Sequence, residues 1–393
     1  MSVNQAGGSI RIHQIHKLPS PYSDFFFQAL HENDNIDFRV YHLWRGSWRR
    51  PWKSELGLGY NNTFMKPIWG IDWRLLKTAW CDIDSFFIVG DWAHLPTVAV
   101  ILARYLRRTP VALWVDTPVE DIKRPVLKQW LRSKFLRWLL AKPDIIFGTG
   151  RKAKRVLLEM GVKAEQFVDL PFFVDLDRPV LAAREAEIQN KAQKLRETVH
   201  CRPEGVVFSM LGRLAAIKGN DIGLHALAQC RQQTPKPLGL LIAGDGPERQ
   251  NLEALANRLG LSNAVSFLGW QEPMGVEAVY LASDVILHPA RIDPFPVVIL
   301  DAMNWSRVVI GSDVCGNVED RIIPGVNGFS FPSEDVDELA RIMLDLVHHP
   351  EKLPEIGAQA RKTAEAWPVE RGVEIVLEQA RKVLLKDRKY KQY

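Results

Sequence analysis

Two cations follow a strong candidate strand in the second half of the sequence. The apolar run Val206–Leu211 is followed by Gly212 and Arg213, and Lys218 comes five residues later, just before a segment of helical period. This order predicts that both cations lie at the carboxyl end of a strand, beside a helix N-terminus whose free N–H groups favour an anion. An arginine fork and a mobile lysine charge suit a diphosphate. A solvated loop with two surface cations is the alternative.

Two acids further along the chain could bind hydroxyl groups. Asp293 and Asp301 are separated by seven residues, and a helix predicted over 296–304 would place Asp293 before its start and Asp301 within it. Since a carboxylate can accept hydrogen bonds from adjacent hydroxyls, one acid could reach a sugar and the other a ribose. The N-terminus of that helix would again favour a phosphate. For Asp293 taken alone, an ordinary N-cap is the competing interpretation.

The bulk composition is that of a globular protein with material for two domains. The chain has 393 residues, of which 47% are apolar and 25% charged. Its four cysteines contain no CxxC pair, which argues against a disulfide framework or a zinc site and favours a reducing compartment. The N-terminus lacks the layout of a signal peptide, and charged residues interrupt the most apolar stretch, 85–106. We therefore expect a protein without a membrane-spanning helix.

Strand-like and helix-like segments alternate along the chain, which predicts parallel α/β units. The strand candidates are 10–15, 38–43, 85–89, 111–115, 144–147, 166–170, 206–211, 238–243, 264–267, 285–288, 308–311 and 328–331. The charged, Ala-rich segment 175–201 is interpreted as the connection between domains, helical in part, and everything beyond residue 332 as helix. Two Rossmann-like domains with a cleft between them are the simplest architecture, with ligands outside the carboxyl ends of the strands.

Five segments of the second half, in order, resemble the retaining GT-B glycosyltransferases usually called family 4, or group 1. They are GRLAAIKG (212–219), LLIAGDGPERQNLEALANRLGL (240–261), VSFLGW (265–270), HPARIDPFPVVILDAM (288–303) and VCGNVEDRIIPGVNGFSF (314–331). The resemblance implies an α/β GT-B fold, in which two Rossmann-like domains face each other across a cleft. Residues 1–178 would bind the acceptor and 179–365 the nucleotide-sugar donor, and a final helix within 366–393 would pack back on the N-terminal domain.

The resemblance also implies roles for individual residues. Arg213 and Lys218 would hold the donor diphosphate and help the leaving group depart, Asp293 would contact hydroxyls of the donor sugar, and Asp301 the ribose. The other donor contacts that it implies are Gly212, Gly244 and Gly246, Trp270 near the base, and the backbone amides of Phe295, Val297 and Val298. The cations would take the place of a divalent ion, so no metal and no cofactor besides the donor substrate is expected.

The sequence departs from the family pattern at two kinds of position. Both family glutamates are replaced by aspartates, Asp293 and Asp301, each one methylene shorter. Pro296 stands where the family has glycine and removes one N–H donor. These changes bear on the choice of sugar and on whether the chain is active.

The first half, which supplies the acceptor site in the family, matches it less closely. Asp116 follows the strand 111–115 and is the candidate for an acceptor-side or transition-state contact, with a structural cap as the alternative. Asp91 and His94 follow another strand and are the next candidates, and Ser20 and Tyr22 offer polar groups in the first loop.

A basic and aromatic stretch in the first half predicts a second kind of partner. Residues 1–180 hold 26 Lys and Arg against 18 Asp and Glu, and 123–155 holds eleven cations and one acid, with tryptophan and phenylalanine interleaved. Within it Leu127, Leu131, Phe135 and Trp138 share one helical face, while Leu136 and Leu140 lie elsewhere. We favour a helix drawn to an anionic membrane over a sheet-covering helix with a cationic edge. The run WRGSWRRPW (44–52) favours the same interpretation, and no nucleic-acid motif is present.

These observations predict a retaining, metal-independent hexosyltransferase. It would move a sugar from a nucleotide-diphosphate donor to a lipid-linked or growing glycan acceptor, in the synthesis of cell-surface polysaccharide or glycolipid. We expect it in the cytoplasm, peripheral on the inner face of the cytoplasmic membrane. Two alternatives stay open: a GT-B sugar-nucleotide epimerase, and a catalytically silent GT-B partner subunit, which the shortened acids would fit.

Overall fold

The computed structural model describes residues 9–45, 58–66, 71–116, 125–200 and 205–391, with side chains up to residue 385. The chain divides into two compact units. The first unit comprises Met1–Phe173 and Val369–Tyr393, and the second unit comprises Val174–Pro368.

The first unit is built on a seven-stranded parallel sheet. Its strands are β1 (Ile10–His16), β2 (Ile36–His42), β3 (Asn62–Phe64), β4 (Phe86–Val89), β5 (Val111–Val115), β6 (Ile145–Gly148) and β7 (Phe167–Asp169). Their order in the sheet is β3-β2-β1-β4-β5-β6-β7. Successive strands are therefore added first on one side of β1 and then, from β4 onwards, on its other side. Its helices are α1 (Pro21–His31), α2 (Trp73–Cys81), α3 (Leu95–Leu106), α4 (Val126–Leu140), α5 (Gly150–Glu159) and α15 (Val369–Lys391).

Helices cover both faces of this sheet, and this explains why its central strands consist mostly of apolar residues. The central strands β4, β5 and β6 are buried at every position, because a parallel sheet between two helical layers needs apolar side chains on both faces. The last helix, α15, buries Val373, Val376 and Ala380 at helical spacing. Its Gly372 lies so close to Phe173 that a Cβ there would be 2.4 Å from the phenyl ring.

The second unit is built on a six-stranded parallel sheet. Its strands are β8 (Val206–Leu211), β9 (Leu238–Ala243), β10 (Val265–Gly269), β11 (Val285–His288), β12 (Val308–Ser312) and β13 (Phe329–Phe331). Their order is β10-β9-β8-β11-β12-β13, with the reversal between β8 and β11. The helices are α6 (Arg178–Ala182), α7 (Ala186–Thr198), α8 (Asn220–Gln233), α9 (Arg249–Arg258), α10 (Pro273–Ala282), α11 (Val297–Asn304), α12 (Val318–Arg321), α13 (Val336–His348) and α14 (Leu353–Glu365).

The segment 175–201, predicted to be a connection that is helical in part, contains helices α6 and α7 and packs into the core of the second unit. Its helix α7 buries Ile188, Ala192 and Leu195 in the same core cluster as Val207 of β8. These three residues recur at helical spacing, so α7 has one apolar face, which covers the sheet of the second unit.

Twelve of the thirteen strands in the described residues correspond to predicted ones, and the fold class is confirmed as two parallel-sheet, Rossmann-like α/β units. The unpredicted strand, β3, has three residues at a sheet edge and only one apolar side chain. Such a segment has too little apolar periodicity to be recognised. Within the described residues, no helix combines the length and the apolar character needed to cross a bilayer.

Candidate functional site

The candidate site of the second unit lies at the carboxyl ends of β8 and β11, where the sheet order reverses. The two loops that follow these strands are joined by their backbones: the N–H groups of Arg291 and Ile292 donate to the carbonyl of Ile217, at 2.8 and 3.2 Å. Gly219 has a φ of +64°, and a Cβ there would be 1.9 Å from the carbonyl oxygen of Pro289. Glycine is therefore required where the loops meet.

This contact brings together Lys218 and Asp293, two of the residues predicted to bind the donor. The Nζ atom of Lys218 donates to Oδ2 of Asp293 at 2.6 Å. His288, the last residue of β11, shares a hydrogen bond of 2.8 Å between its Nε2 atom and the same oxygen. We call Lys218, His288 and Asp293 the charge cluster. Asp293 is not an N-cap, since the helix α11 is capped by Pro296 instead.

The shifted pKa values of His288 and Asp293 keep both side chains charged at neutral pH. Burial by itself would lower the pKa of His288, but hydrogen bonds to Asp293 and to the thiol of Cys315 outweigh burial and raise this pKa to about 9. Burial would raise the pKa of Asp293, yet its contacts with His288 and Lys218 hold that pKa below its ordinary value. At neutral pH the cluster therefore holds one carboxylate between two cations.

The Asp293 carboxylate uses one oxygen for both partners. Lys218 and His288 both contact Oδ2, and among the described residues none bonds to Oδ1. Asp293 keeps 8% of its surface exposed. The arrangement leaves one oxygen able to accept hydrogen bonds from a ligand.

Arg213 lies in the loop directly after β8 and is exposed. Within the part of the chain that the structure describes, its guanidinium forms no hydrogen bond or ion pair. Since the guanidinium carries five donors in a planar fork, an anionic ligand beside this loop could take several of them.

Helix α11 brings further polar groups to the same edge of the sheet. No side chain caps its N-terminus, so the backbone amides of Val297 and Val298, in its first turn, have no partner within the helix. Asp301 lies in the helix and is partly buried, and Phe295 precedes it. The helix thus begins after Asp293 and includes Asp301, as predicted.

The predicted glycines lie where two loops meet. The N–H of Gly212 donates to Ala243, and a Cβ on Gly244 would be 1.8 Å from the Gly212 carbonyl oxygen. A Cβ on Gly246 would be 2.2 Å from the carbonyl of Leu214. These glycines are needed for the packing of the loops after β8 and β9. The adjacent β10 ends at Gly269, whose carbonyl accepts from Gly244, and the exposed Trp270 follows it.

Arg291 clamps the loop that carries Lys218, a role that the sequence did not indicate. Its guanidinium donates to both carboxylate oxygens of Asp221, at 2.8 and 2.7 Å, to the carbonyl of Ala216, and to Glu334. This bidentate pair fixes the loop against the start of α8.

The candidate residues of the first unit follow adjacent strands of its sheet. Asp116 comes directly after β5 and is exposed. Asp91 and His94 follow β4, and their side chains lie together, with 3.5 Å between Oδ1 of Asp91 and Nδ1 of His94. The ring of Trp44 lies 4.6 Å from that of His94. Of the tryptophan-rich run 44–52, residues 46–52 lie outside the described residues.

A buried polar chain at the ends of β1 and β2 escaped sequence reasoning. Tyr60 donates to Asp24 at 2.6 Å and lies 3.1 Å from Nε2 of His42. Burial, partly offset by hydrogen bonds from Tyr60 and the Ser20 backbone, raises the pKa of Asp24 to about 6. Ser20 is the N-cap of α1 and accepts from the N–H of Ser23. The feature of the sequence that could have indicated this chain is His42, the histidine at the end of β2.

Helix α4 leaves an aromatic and basic face uncovered. It buries Leu136, Leu139 and Leu140 against the sheet, whereas the apolar side chains opposite are 44–86% exposed: Val126, Leu127, Trp130, Leu131, Phe135 and Trp138. Cations lie over the aromatic rings, with Lys134 at 5.9 Å from the Trp130 centroid and Lys142 at 4.9 Å from that of Trp138. We call this face the α4 surface. The basic residues Lys123 and Arg124 lie outside the described residues.

His288 is the member of the charge cluster that sequence reasoning missed. Its signal was a histidine at the end of the predicted strand 285–288, five residues before Asp293. Among the described residues there is no group of three or more His, Cys, Asp or Glu side chains that could hold a metal ion.

Comparison with known proteins places the charge cluster in a matched segment. Residues 192–363 match the family described as Glycosyl transferases group 1. The chain is 30% identical over 194 residues to a D-inositol 3-phosphate glycosyltransferase of Rhodococcus erythropolis, covering 48% of this chain and 43% of the relative. It is 26% identical over 254 residues to an alpha-D-kanosaminyltransferase of Streptomyces kanamyceticus, covering 65% and 61%. The chain thus spans less than two thirds of the length of these relatives.

Solved structures extend the likeness to the whole fold. The structure of Anabaena Alr3699/HepE in complex with UDP matches 94% of this chain and 99% of its own, with a TM-score of 0.75 and 19% identity. The two Rossmann-like units therefore match the GT-B glycosyltransferase structures, as the sequence predicted. Residues 192–363 thus match a glycosyltransferase family, and the solved structure shows the likeness of the fold.

Proposed function

We propose that this protein is a retaining, metal-independent hexosyltransferase of the GT-B class, which uses a nucleotide-diphosphate sugar as its donor. The acceptor would be a lipid-linked or growing glycan, in the synthesis of cell-surface polysaccharide or glycolipid. The observation that carries the proposal is the charge cluster, in which Lys218 lies 2.6 Å from Asp293 on a loop that also presents the exposed Arg213. The family 4 assignment rests on the same residues.

The residues of this edge suit the chemistry of sugar transfer. Arg213, Lys218 and the first amides of α11 would bind the diphosphate, with Asp293 and Asp301 on the hydroxyls of the sugar and ribose. In the reaction the bond from the sugar C1 to the phosphate oxygen breaks and a bond from C1 to the acceptor oxygen forms on the same face. The departing phosphate takes the acceptor proton. Arg213 and Lys218 would stabilise the charge that develops on the diphosphate.

The names of the similar proteins are consistent with a sugar-transfer reaction. Their names specify transfer to inositol 3-phosphate and transfer of kanosamine, and UDP is bound in the Anabaena structure. The bound UDP favours a nucleotide donor for this chain, and the two enzyme names favour sugar transfer. On the first unit of this chain, Asp116, Asp91 and His94 are our candidates for acceptor contacts.

Acceptor-dependent release of UDP or GDP tests the proposed activity. We expect release from a panel of nucleotide sugars with wild-type protein, and its loss by about a hundredfold or more when Lys218→Ala removes one charge from the leaving group. Lys194→Ala, which removes an exposed lysine of α7, is the matched control and should keep full activity.

The same assay separates the alternatives. An epimerase would change the donor sugar without net release of nucleoside diphosphate, and a silent subunit would release none by itself. Near-normal activity of Lys218→Ala would contradict the assignment of the diphosphate site.

We further propose that the α4 surface binds an anionic membrane, on the cytoplasmic side where lipid-linked acceptors would be reached. Exposed tryptophan, phenylalanine and leucine side chains beside lysine and arginine are typical of helices that lie in a lipid interface. The burial of Leu136, Leu139 and Leu140 on the opposite face supports this, because the aromatic side chains are not used for the core.

Vesicle sedimentation tests the membrane proposal. We expect binding to vesicles that contain phosphatidylserine, weakening with added salt because surface charges are screened. Replacing Arg132, Lys134 and Arg137 together by glutamine should reduce binding strongly. The control replaces three cations elsewhere, Lys163, Lys194 and Arg258, and should leave binding unchanged. Equal binding by both triple variants would contradict a role for the α4 surface.

A further inference from the structure

His288 is a buried ring beside the proposed donor site, and the diphosphate chemistry above does not use it. We propose that His288 is a positioning residue, which holds Oδ2 of Asp293 so that Oδ1 is presented to the hydroxyls of the donor sugar. This inference rests on the proposed function and identifies what orients its sugar-binding acid.

The position of His288 makes it a rigid anchor. It ends the buried strand β11, keeps 5% of its surface exposed, and lies 2.8 Å from Oδ2 of Asp293. The neighbouring strand β12 ends at Ser312, whose hydroxyl bonds to the Ala290 carbonyl and lies 3.4 Å from the thiol of Cys315. Because the imidazole is buried and contacts both Asp293 and the thiol of Cys315, its ring has little freedom to turn.

Lys218 is a poorer anchor for the same carboxylate. Its side chain is 28% exposed and is long and flexible, whereas that of Asp293 is 9% exposed. A diphosphate bound beside Arg213 would compete with Asp293 for the lysine charge. His288 faces Asp293 from inside the sheet and would keep its contact with Oδ2 when Lys218 turns to the ligand.

The short side chain of Asp293 explains why a contact with His288 would be needed. With one methylene fewer than a glutamate, Asp293 reaches less far from the backbone, and its carboxylate lies where β11 ends. A fixed bond to one oxygen limits rotation of the carboxylate, so that the second oxygen keeps one direction. Restricting a binding group before the ligand arrives reduces the entropy lost on binding.

Binding of a nucleotide with and without its sugar tests the role. The probes are UDP and UDP-glucose, or GDP and GDP-mannose if the wild type binds only guanine nucleotides, measured by isothermal titration calorimetry. His288→Leu removes the hydrogen bond to Oδ2, and we expect about tenfold weaker binding of the nucleotide sugar, with affinity for the nucleoside diphosphate within about twofold of wild type. His225→Gln, an exposed histidine of α8, is the control and should change neither.

A second variant separates positioning from folding. His288→Gln keeps an N–H that can donate to Oδ2, so it should restore most of the sugar-dependent affinity that His288→Leu loses. A residue that only supported folding would give no such rescue, because the affinity for the nucleoside diphosphate would fall together with that for the nucleotide sugar.

The outcomes are distinguishable. Equal loss of UDP and UDP-glucose binding in both His288 variants would reduce the residue to a structural role, and unchanged binding of both would remove any role. Failure of His288→Gln to restore the sugar-dependent affinity lost in His288→Leu would also overturn the inference. If the wild type binds none of the probes, the proposed function itself fails, which is seen before any variant is made.

Discussion

The ammonium group of Lys218 lies 2.6 Å from the Asp293 carboxylate, although 75 residues separate them in sequence. The contact joins the loops after β8 and β11, two neighbouring strands of the second sheet. The contact neutralises the charge of Asp293 within the protein. An ammonium group has three N–H donors, so Lys218 can still donate to a ligand. A residue proposed for the diphosphate and one proposed for the sugar are thus coupled before either is bound.

We expect Asp293→Asn to destabilise the protein strongly. The substitution leaves the buried His288 and Lys218 without a counter-charge, and breaking a buried pair at one partner costs about 3–5 kcal/mol. The part exposure of Lys218 places the expected loss in free energy of unfolding at the lower end of that range. Urea unfolding followed by circular dichroism measures it.

Asp245→Asn is the matched control for that measurement. Asp245 pairs with Arg249 at 3.2 Å, but its side chain is 54% exposed, and exposed pairs contribute less than about 1 kcal/mol. Equal effects of the two substitutions would show that the charge cluster is no more strongly coupled than a surface pair.

Gly219→Ala should distort the loop that carries Lys218 while leaving the sheets intact. A Cβ would be 1.9 Å from the Pro289 carbonyl oxygen, at a φ of +64°. The loops must then separate, which moves Lys218 away from Asp293. We expect at least tenfold weaker binding of a nucleoside diphosphate, measured by calorimetry, with an unchanged circular dichroism spectrum.

Gly260→Ala isolates the backbone contribution to that effect. Gly260 also has a left-handed φ, +70°, but nothing lies within 4 Å of the added Cβ. Its substitution should cost about 1 kcal/mol in the free energy of unfolding and leave nucleotide binding unchanged. A Gly219→Ala protein that binds like Gly260→Ala would contradict the need for close contact at Pro289.

Asp24 should make the first unit less stable as the pH rises from about 4 to 6. Its pKa in the folded protein is about 6, above the ordinary 3.8, so across this range the folded state binds more protons than the unfolded state. The free energy of unfolding then falls with pH. Asp24→Asn removes this titration and keeps an acceptor for Tyr60. Between pH 4 and 7 its free energy of unfolding should therefore rise relative to that of the wild type by about 1 kcal/mol, after solvent screening is allowed for.

Thermal unfolding at a series of pH values checks this expectation. Asp37→Asn, on an exposed position of β2, is the control and should follow the wild-type profile. A profile of Asp24→Asn parallel to the wild type would mean that Asp24 is ionised normally in the folded protein.

The sequence by itself determined most of the strands, β3 excepted, and the order in which they occur along the chain. Runs such as Val206–Leu211 and Val285–His288 are almost entirely apolar because parallel strands are buried on both faces, so their bounds could be read directly. The spacing of Arg213 from Lys218, and of Asp293 from Asp301, placed these residues at strand ends and helix starts. Local patterns suffice for this, because strand burial and helix period are properties of short segments.

Only the tertiary structure decided which of these residues meet. The contact of Lys218 with Asp293, and the presence of His288 beneath them, depend on β8 and β11 being neighbours, which no local pattern records. Helical spacing predicted that Leu127, Leu131, Phe135 and Trp138 share one face of α4, but only packing shows that the sheet covers the opposite face and leaves this one exposed. Pairing between distant strands and the choice of a buried face are properties of the whole chain, because both are set by the packing of elements that lie far apart in sequence.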